Sequence, residues 1–276
     1  MKIAAVQMVS TPSVERNLET ARRLVGRAAA DGATLVVLPE YFCFMGKADR
    51  DKLAVAEAPG EGPIQRTLAE SAREHGVWLI GGTLPLTIDA AARASAGAVD
   101  RVMNANLVFS PRGELAARYD KMHLFAYDNG RERYDESRTL QAGRTPVAFD
   151  AGGLRVGLSV CYDLRFPELY RALARPPCDL VSVPSAFTYT TGAARWEVLL
   201  RARAIENQCY VVAAAQGGTH ENGRRTFGHS LVVDPWGEAV ACRSEEGEGV
   251  VIAEVSAERI AGVRRQLPAL EHRLEF

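Results

Sequence analysis

Cysteine is scarce in this sequence and shows no pairing pattern. The 276-residue chain has five cysteines, an odd number, with no Cys-x-x-Cys, and a chain of this size does not depend on disulfide staples. A disulfide framework is therefore excluded, and reduced thiols in a cytoplasmic protein are expected. An excess of charge of either sign is also missing. A net charge of −1 leaves no electrostatic footprint for nucleic acid or for an anionic membrane surface. Apolar runs reach only strand length, far short of a membrane span. The segment 1–8 is too short in its apolar part to read as a signal peptide. Gln7 interrupts it and Glu15 and Arg16 follow, so it is expected to be the first strand. Histidine and cysteine lack ligand spacing such as His-x-x-x-His, and no glycine-rich phosphate loop follows a strand. Both gaps argue against a metal site and against a bound nucleotide.

Apolar residues, by contrast, make up 47% of the chain, enough to bury a large core. Strand and helix patterns alternate, which predicts an α/β fold. Strands are expected over 2–8, 35–38, 77–80, 104–109 and 114–119, with a Ser-Pro-Arg-Gly turn joining the last two. Helices are expected from Thr11-Pro12 to Gly32 and from Pro63 to His75. The second half repeats the plan, with strands at 155–160, 179–183, 209–215, 229–233, 239–242 and 250–255. Its helices are expected over 167–174, 192–207 and 256–266. Lys2-Ile-Ala-Ala-Val-Gln-Met aligns with Arg155-Val-Gly-Leu-Ser-Val-Cys, and Thr34-Leu-Val-Val-Leu-Pro-Glu with Asp179-Leu-Val-Ser-Val-Pro-Ser. The alignment points to two similar α/β layers packed together within one domain spanning residues 1–276. Ala90–Gly97 reads as a surface loop. The segment 128–138, with seven charges in eleven residues, reads as a solvated loop at the rim of a site.

Three segments end an apolar strand on a chemically capable residue. Leu35-Val-Val-Leu-Pro delivers Glu40, Tyr119-Asp leads to Lys121, and Arg155-Val-Gly-Leu-Ser-Val delivers Cys161 just before a helix opened by Pro167-Glu168. A thiol at a strand-to-helix elbow is pushed clear of the backbone, with amide N–H groups nearby to hold an oxyanion. Cys161 then suggests a nucleophile, Glu40 a general base and Lys121 a cationic stabiliser, aided by the backbone N–H of Tyr162. A buried carboxylate with a raised pKa suits the base. Taken alone, Glu40 and Lys121 fit a surface ion pair equally well. Arg165 suits either a substrate carboxylate or an internal ion pair at the elbow. Phe187 and Thr191 lie in a segment expected to wall the pocket. Cys178, Cys209 and Cys242 read as small buried hydrophobes, and packing is also favoured for Cys43. His123 and His229 read as hydrogen-bonded core histidines.

The blocks Leu-Pro-Glu40, Asp-Lys121-Met-His-Leu-Phe and Cys161-Tyr-Asp-Leu-Arg-Phe-Pro-Glu-Leu resemble those of the nitrilase superfamily of carbon–nitrogen hydrolases, in order and spacing. The likeness runs from Lys2 to about Arg273. It implies a four-layer αββα sandwich, protomers that pair as a homodimer or higher homo-oligomer, and an amidase that works through a thioester on Cys161 without a cofactor. It also implies a second carboxylate in the site, which fits Glu136 better than Glu132, and a supporting structural role for His123. The segments 196–216 and 228–237 are similar to the deaminated-glutathione amidase branch. That branch splits an α-ketoglutaryl amide to release Cys-Gly. The ω-amidase branch, which acts on α-ketoglutaramate, is similar around the triad and at 201–207. Hydrolases of simple amides or N-carbamoyl compounds, and an inactive scaffold of the same fold, are the alternatives. A substrate with carboxylates at both ends calls for cations, among which Arg131, Arg133, Arg165, Arg195, Arg224 and Arg225 are candidates.

Overall fold

The structure is a computed structural model that describes residues 1–88 and 100–274. The expected loop at Ala90–Gly97 lies outside the described residues. Two sheets face each other, and each repeats the same strand directions. The first runs in the order β18 (Gly249–Glu254), β1 (Lys2–Gln7), β2 (Leu35–Val37), β3 (Trp78–Ile80), β5 (Val102–Phe109), β4 (Leu84–Thr87). Strands β6 (Leu115–Asp120) and β9 (Leu140–Gln141) also pair with β5. The second runs β10 (Ala148–Ala151), β11 (Leu154–Leu158), β12 (Leu180–Ser182), β13 (Tyr210–Ala213), β16 (Leu231–Val233), β17 (Ala239–Cys242). In each sheet three central parallel strands are flanked by antiparallel ones, and Ile3 pairs with Leu35 as Val156 pairs with Leu180. The internal alignment read from the sequence thus corresponds to equivalent strands.

Strand alternation sorts the core into layers. Ala4 and Val6 point to helices α1 (Val14–Ala30) and α2 (Pro63–His75), where they meet Leu24, Val25, Ile64 and Leu68. Ile3, Ala5, Leu35 and Val37 belong instead to the cluster that includes the second sheet, with Val156, Leu158 and Leu180. The same cluster reaches helices α3 (Pro167–Leu173), α4 (Tyr189–Asn207) and α5 (Ala257–Gln266) through Leu169, Leu173, Trp196, Leu200 and Ile260. Helix–sheet–sheet–helix is the αββα sandwich. Each fully buried aliphatic side chain in these layers contributes about 1.5–3 kcal/mol.

Several boundaries differ from the sequence reading, each for a local reason. Helix α1 begins at Val14 because the Ser13 hydroxyl caps the Arg16 amide, so Thr11-Pro12 precedes it. Helix α4 starts at Tyr189, one turn before Gly192, because Thr188 caps the Thr191 amide. Segment 126–135 is a hairpin of β7 (Ala126–Asp128) and β8 (Arg133–Asp135), followed by a 3-10 turn over Glu136–Arg138, rather than a featureless loop. A second small hairpin joins β14 (Gly217–Thr219) and β15 (Arg225–Phe227). Cys43, Cys178 and Cys209 are buried, but Cys242 is exposed on β17, which lies at the edge of its sheet. No helix among the described residues is long and apolar enough to cross a membrane.

Candidate active site

Glu40, Lys121 and Cys161 arrive from three different chain segments and meet at one end of the sandwich. Glu40 follows β2 and is 1% exposed. Its Oε1 accepts the Lys121 Nζ at 2.9 Å and Asn104 Nδ2 at 3.0 Å, while Oε2 accepts the Ala186 amide at 3.0 Å. The Gln216 side chain donates to the Glu40 carbonyl at 3.0 Å and to Ser10 Oγ at 2.7 Å, which pins the segment from the second half of the chain. The chain leading into Glu40 leans on Gly82. A Cβ there would lie 2.1 Å from the Pro39 carbonyl, and its φ of +59° suits glycine. Neighbouring Thr83 accepts the Tyr41 amide at 2.9 Å.

Lys121 follows β6 with its ammonium fully buried between two carboxylates. Besides Glu40, it donates to Glu136 Oε1 and Oε2 at 3.0 and 2.7 Å. Burial alone would lower its pKa, but the charges of Glu136 and Glu40 outweigh that and hold it well above the usual lysine range. Glu136 sits in the 3-10 turn after β8, which points its carboxylate inward from an otherwise solvated hairpin. It also accepts the Tyr41 hydroxyl at 2.8 Å and the Phe125 amide at 2.7 Å. Burial pushes its pKa up, yet the charge and hydrogen bonds of Lys121 leave it below the ordinary glutamate value.

Cys161 lies three residues beyond the end of β11, with φ at +49°, a left-handed backbone rare for a side chain of this kind. The flanking chain holds that turn. Its own amide donates to Pro184 O at 2.9 Å and that of Asp163 to Val160 O at 3.0 Å, whereas the Tyr162 amide has no acceptor among the described residues. Burial, reinforced by the negative charge of Glu40, raises the thiol pKa well above the usual cysteine value, with Lys121 opposing. The resting group is therefore a thiol, and attack requires a base beside it.

A clamp fixes the lysine segment to the elbow. Asp163 is fully buried, and its Oδ2 accepts the Tyr119 hydroxyl at 2.7 Å and the Val160 amide at 2.9 Å. Its Oδ1 meets the His123 amide at 3.0 Å and the His123 Nδ1 at 2.7 Å. Lys121 is thus bracketed on both sides by residues tied to the cysteine turn. The His123 ring also stacks on Phe166, with centroids 3.7 Å apart. His229 differs from the expected hydrogen-bonded core histidine. It is partly exposed, and its ring stacks on Phe227 with centroids 4.1 Å apart.

Arg165, Phe187 and Thr191 all line the cavity that holds Cys161, Glu40 and Tyr162. The Arg165 guanidinium lies 5.1 Å from the Phe187 ring centroid and 5.7 Å from that of Tyr162, with no ion pair to a carboxylate among the described residues. Thr191 shares a 2.8 Å hydroxyl contact with Thr188, and Phe187 packs on Trp196. Of the other candidate arginines, Arg224 reaches the cavity, whereas Arg133 pairs with Asp128 and Arg225 with Glu246. Asn104, Tyr41, Asp163 and Lys52 also belong to this assembly and were not singled out from the sequence. Two of them had a signal. Tyr41 adjoins Glu40, and Asn104 is a polar residue within an apolar strand.

Residues 2–265 match the family described as carbon-nitrogen hydrolase. The chain belongs to that family. It is 42% identical over 275 residues to a deaminated glutathione amidase of Synechocystis sp., covering 98% of this chain and 97% of that one. It is 41% identical to the Homo sapiens deaminated glutathione amidase, covering 98% of this chain and 81% of that one. The crystal structure of Saccharomyces cerevisiae Nit3, a member of branch 10 of the nitrilase superfamily, superposes with a TM-score of 0.86 at 31% identity. That match covers 97% of this chain and 94% of the other. The protein is accordingly a carbon–nitrogen hydrolase acting on amides, with the nitrilase-superfamily sandwich.

Proposed function

We propose that this hydrolase cleaves deaminated glutathione to α-ketoglutarate and Cys-Gly, using Cys161 as nucleophile. The observation that carries the chemistry is the buried Glu40–Lys121–Glu136 chain beside a thiol on a left-handed elbow. Cys161 attacks the amide carbon as Glu40 takes its proton. Lys121 and the Tyr162 N–H hold the oxyanion, each donor worth roughly 2.7–4 kcal/mol in the transition state. Glu40 returns the proton to the leaving amine, and a thioester remains on Cys161. Water, deprotonated by Glu40, then releases the acid and restores the thiol. Glu136 orients Lys121 and balances its charge. The substrate assignment draws on the two amidase relatives and on Arg165, a cation without an ion pair among the described residues that faces the cavity where a keto-acid carboxylate would sit.

The same reading takes residues 1–276 as one domain, paired as a homodimer in the cytoplasm. Five free cysteines support the reducing compartment. Pairing is supported by exposed Val198 and Ile205 on α4 beside exposed Trp236 and Val240. Trp236→Glu is expected to convert the dimer to monomer in sedimentation, and an unchanged sedimentation coefficient would remove that face from consideration.

Release of α-ketoglutarate from deaminated glutathione and from α-ketoglutaramate, with Cys161→Ala alongside, tests the function. A higher kcat/KM on deaminated glutathione, lost in Cys161→Ala, is the expected result. Preference for α-ketoglutaramate would make the protein an ω-amidase with the same mechanism. Activity that survives Cys161→Ala would refute the nucleophile.

A further inference from the structure

The cleft has two chambers, and the catalytic one is the smaller. The cavity around Cys161, Glu40 and Arg165 measures about 10 Å³, whereas its neighbour measures about 220 Å³. They share Phe125, Glu136 and Arg224 in their walls, so the two spaces adjoin across those side chains. Arg224 is held as a partition. Its Nη2 donates to the Ala186 carbonyl at 2.7 Å, its guanidinium carbon lies 5.2 Å from the Tyr134 ring centroid, and its Nε is buried without a hydrogen-bond partner among the described residues. The large chamber is built mainly by the segment that follows Glu40, including Tyr41, Phe44, Met45 and Lys52.

Lys52 is an unusual residue to find there. Its Nζ donates to Thr139 Oγ1 at 3.3 Å and lies 5.4 Å from the Tyr41 ring centroid, with no ion pair among the described residues. Glu136 acts on it only through charge and makes no hydrogen bond to it, since both Glu136 oxygens are taken by Lys121, Tyr41 and Phe125. Of the acids in the chamber wall, Asp135 is committed to Ser137 and Arg138, which leaves Asp49 at the exposed mouth. Burial lowers the Lys52 pKa and the cations Arg224 and Lys121 add to this, while the charges of Glu136 and Asp49 oppose it without making an ion pair. A site that keeps such a cation is complementary to an anion brought by the ligand.

We infer that the large chamber is a leaving-amine subsite for amides whose departing amine carries a carboxylate, with Lys52 as the residue that recognises it. This rests on the proposed assignment of Glu40 as the group that protonates the leaving amine. The amine must depart next to Glu40, and the chain just after Glu40 forms the chamber. The catalytic chamber, with Arg165 and Thr191, is left for the acyl side, and at about 10 Å³ it must widen by movement of its lining side chains to admit an acyl group. Amino acids and dipeptides fit the larger space and supply the carboxylate, whereas ammonia leaves Lys52 without a partner.

The test compares kcat/KM for an amide whose leaving group is Cys-Gly with that for the same amide bearing the C-terminal carboxamide. Each pair is made on α-ketoglutaryl and on succinyl acyl groups. Wild type is expected to favour the free carboxylate by about tenfold or more. The ratio should fall toward one in Lys52→Met and recover in Lys52→Arg. A wild-type ratio near one on a cleaved acyl group overturns the subsite without reference to any variant, and so does a ratio that Lys52→Met retains. Cleavage of succinyl but not α-ketoglutaryl amides would refute the proposed substrate, while the succinyl ratio would still decide the subsite. Cleavage of none of the four would overturn both.

Discussion

Glu136→Gln probes the charge balance on which the proposed mechanism depends. Every group that touches Glu136 is a donor: the Lys121 ammonium, the Tyr41 hydroxyl and the Phe125 amide. Glutamine can keep its oxygen on Lys121 and Phe125 with its NH₂ toward the Tyr41 hydroxyl, which can rotate to accept, although the NH₂ then replaces the Oε1 that also accepts the Lys121 ammonium at 3.0 Å. Shape is then preserved and charge is lost. Breaking a buried ion pair costs about 3–5 kcal/mol, and the lower end applies because Glu40 still holds the ammonium at 2.9 Å. At about 2–4 °C per kcal/mol, that is a fall in Tm of about 6–12 °C. Activity should suffer more. An ammonium drawn to Glu40 alone loses its aim at the oxyanion, so kcat should drop by about 10²–10³ with little change in KM. The pH dependence supplies a further check. Because folding depresses the Glu136 pKa below its ordinary value of 4.5, its contribution is fully present above 4.5 and is lost as pH falls through the folded value. The Tm gap between wild type and variant should therefore narrow in acid. Steady-state kinetics and thermal melts followed by circular dichroism measure both effects. A variant that melts lower but turns over at nearly the wild-type rate would refute the orienting role. A gap that holds constant into acid would show that charge is not what stabilises.

Two further substitutions address the other arms of the site. Gly82→Ala forces a Cβ to within 2.1 Å of the Pro39 carbonyl at a positive φ. Thermal melts should show a loss of about 2 kcal/mol or more, with activity falling as the Glu40 turn shifts; a wild-type melt would mean that the turn relaxes freely. Iodoacetamide labelling followed by peptide mass spectrometry should modify Cys161 and exposed Cys242, and leave buried Cys43, Cys178 and Cys209 untouched until unfolding. Glu40→Gln removes both the base and the negative charge that raises the Cys161 pKa; loss of the base is expected to dominate and slow labelling there by about tenfold or more without affecting Cys242. Equal labelling rates at Cys161 in the two proteins would remove Glu40 from that role.

What could be read from the sequence depended on how local the determining interaction was. Helix α2 was legible to the residue, since Pro63 opens it and Gly76 closes it in the left-handed conformation. The strands carrying Glu40 and Cys161 were legible because apolar runs of strand length end abruptly on a polar residue. The start of α4 was not, because the Thr188 cap competes with the loop signals of Pro184 and Gly192. Cys242 misled for a related reason. Alternation gives the period of a strand but not whether its sheet edge is covered.

The site divides along the same line. Glu40, Lys121 and Cys161 were legible as candidates because each follows a strand pattern, but the groups around them were visible only in three dimensions. Asp163 illustrates this. Its position in Cys-Tyr-Asp-Leu-Arg is visible in sequence, yet its four donors come from Tyr119, His123 and Val160, two of them on the lysine segment. Lys52 is the extreme case. It sits in Asp49-Arg-Asp-Lys-Leu, a cluster of charges, and it becomes distinctive only because the fold holds it half-buried near Tyr41 without an ion pair among the described residues. Sequence patterns report which side chains are apolar and where strands end. They do not report which charges the fold leaves without an ion pair, and a half-buried cation of that kind is where a substrate's own charge can contribute to specificity.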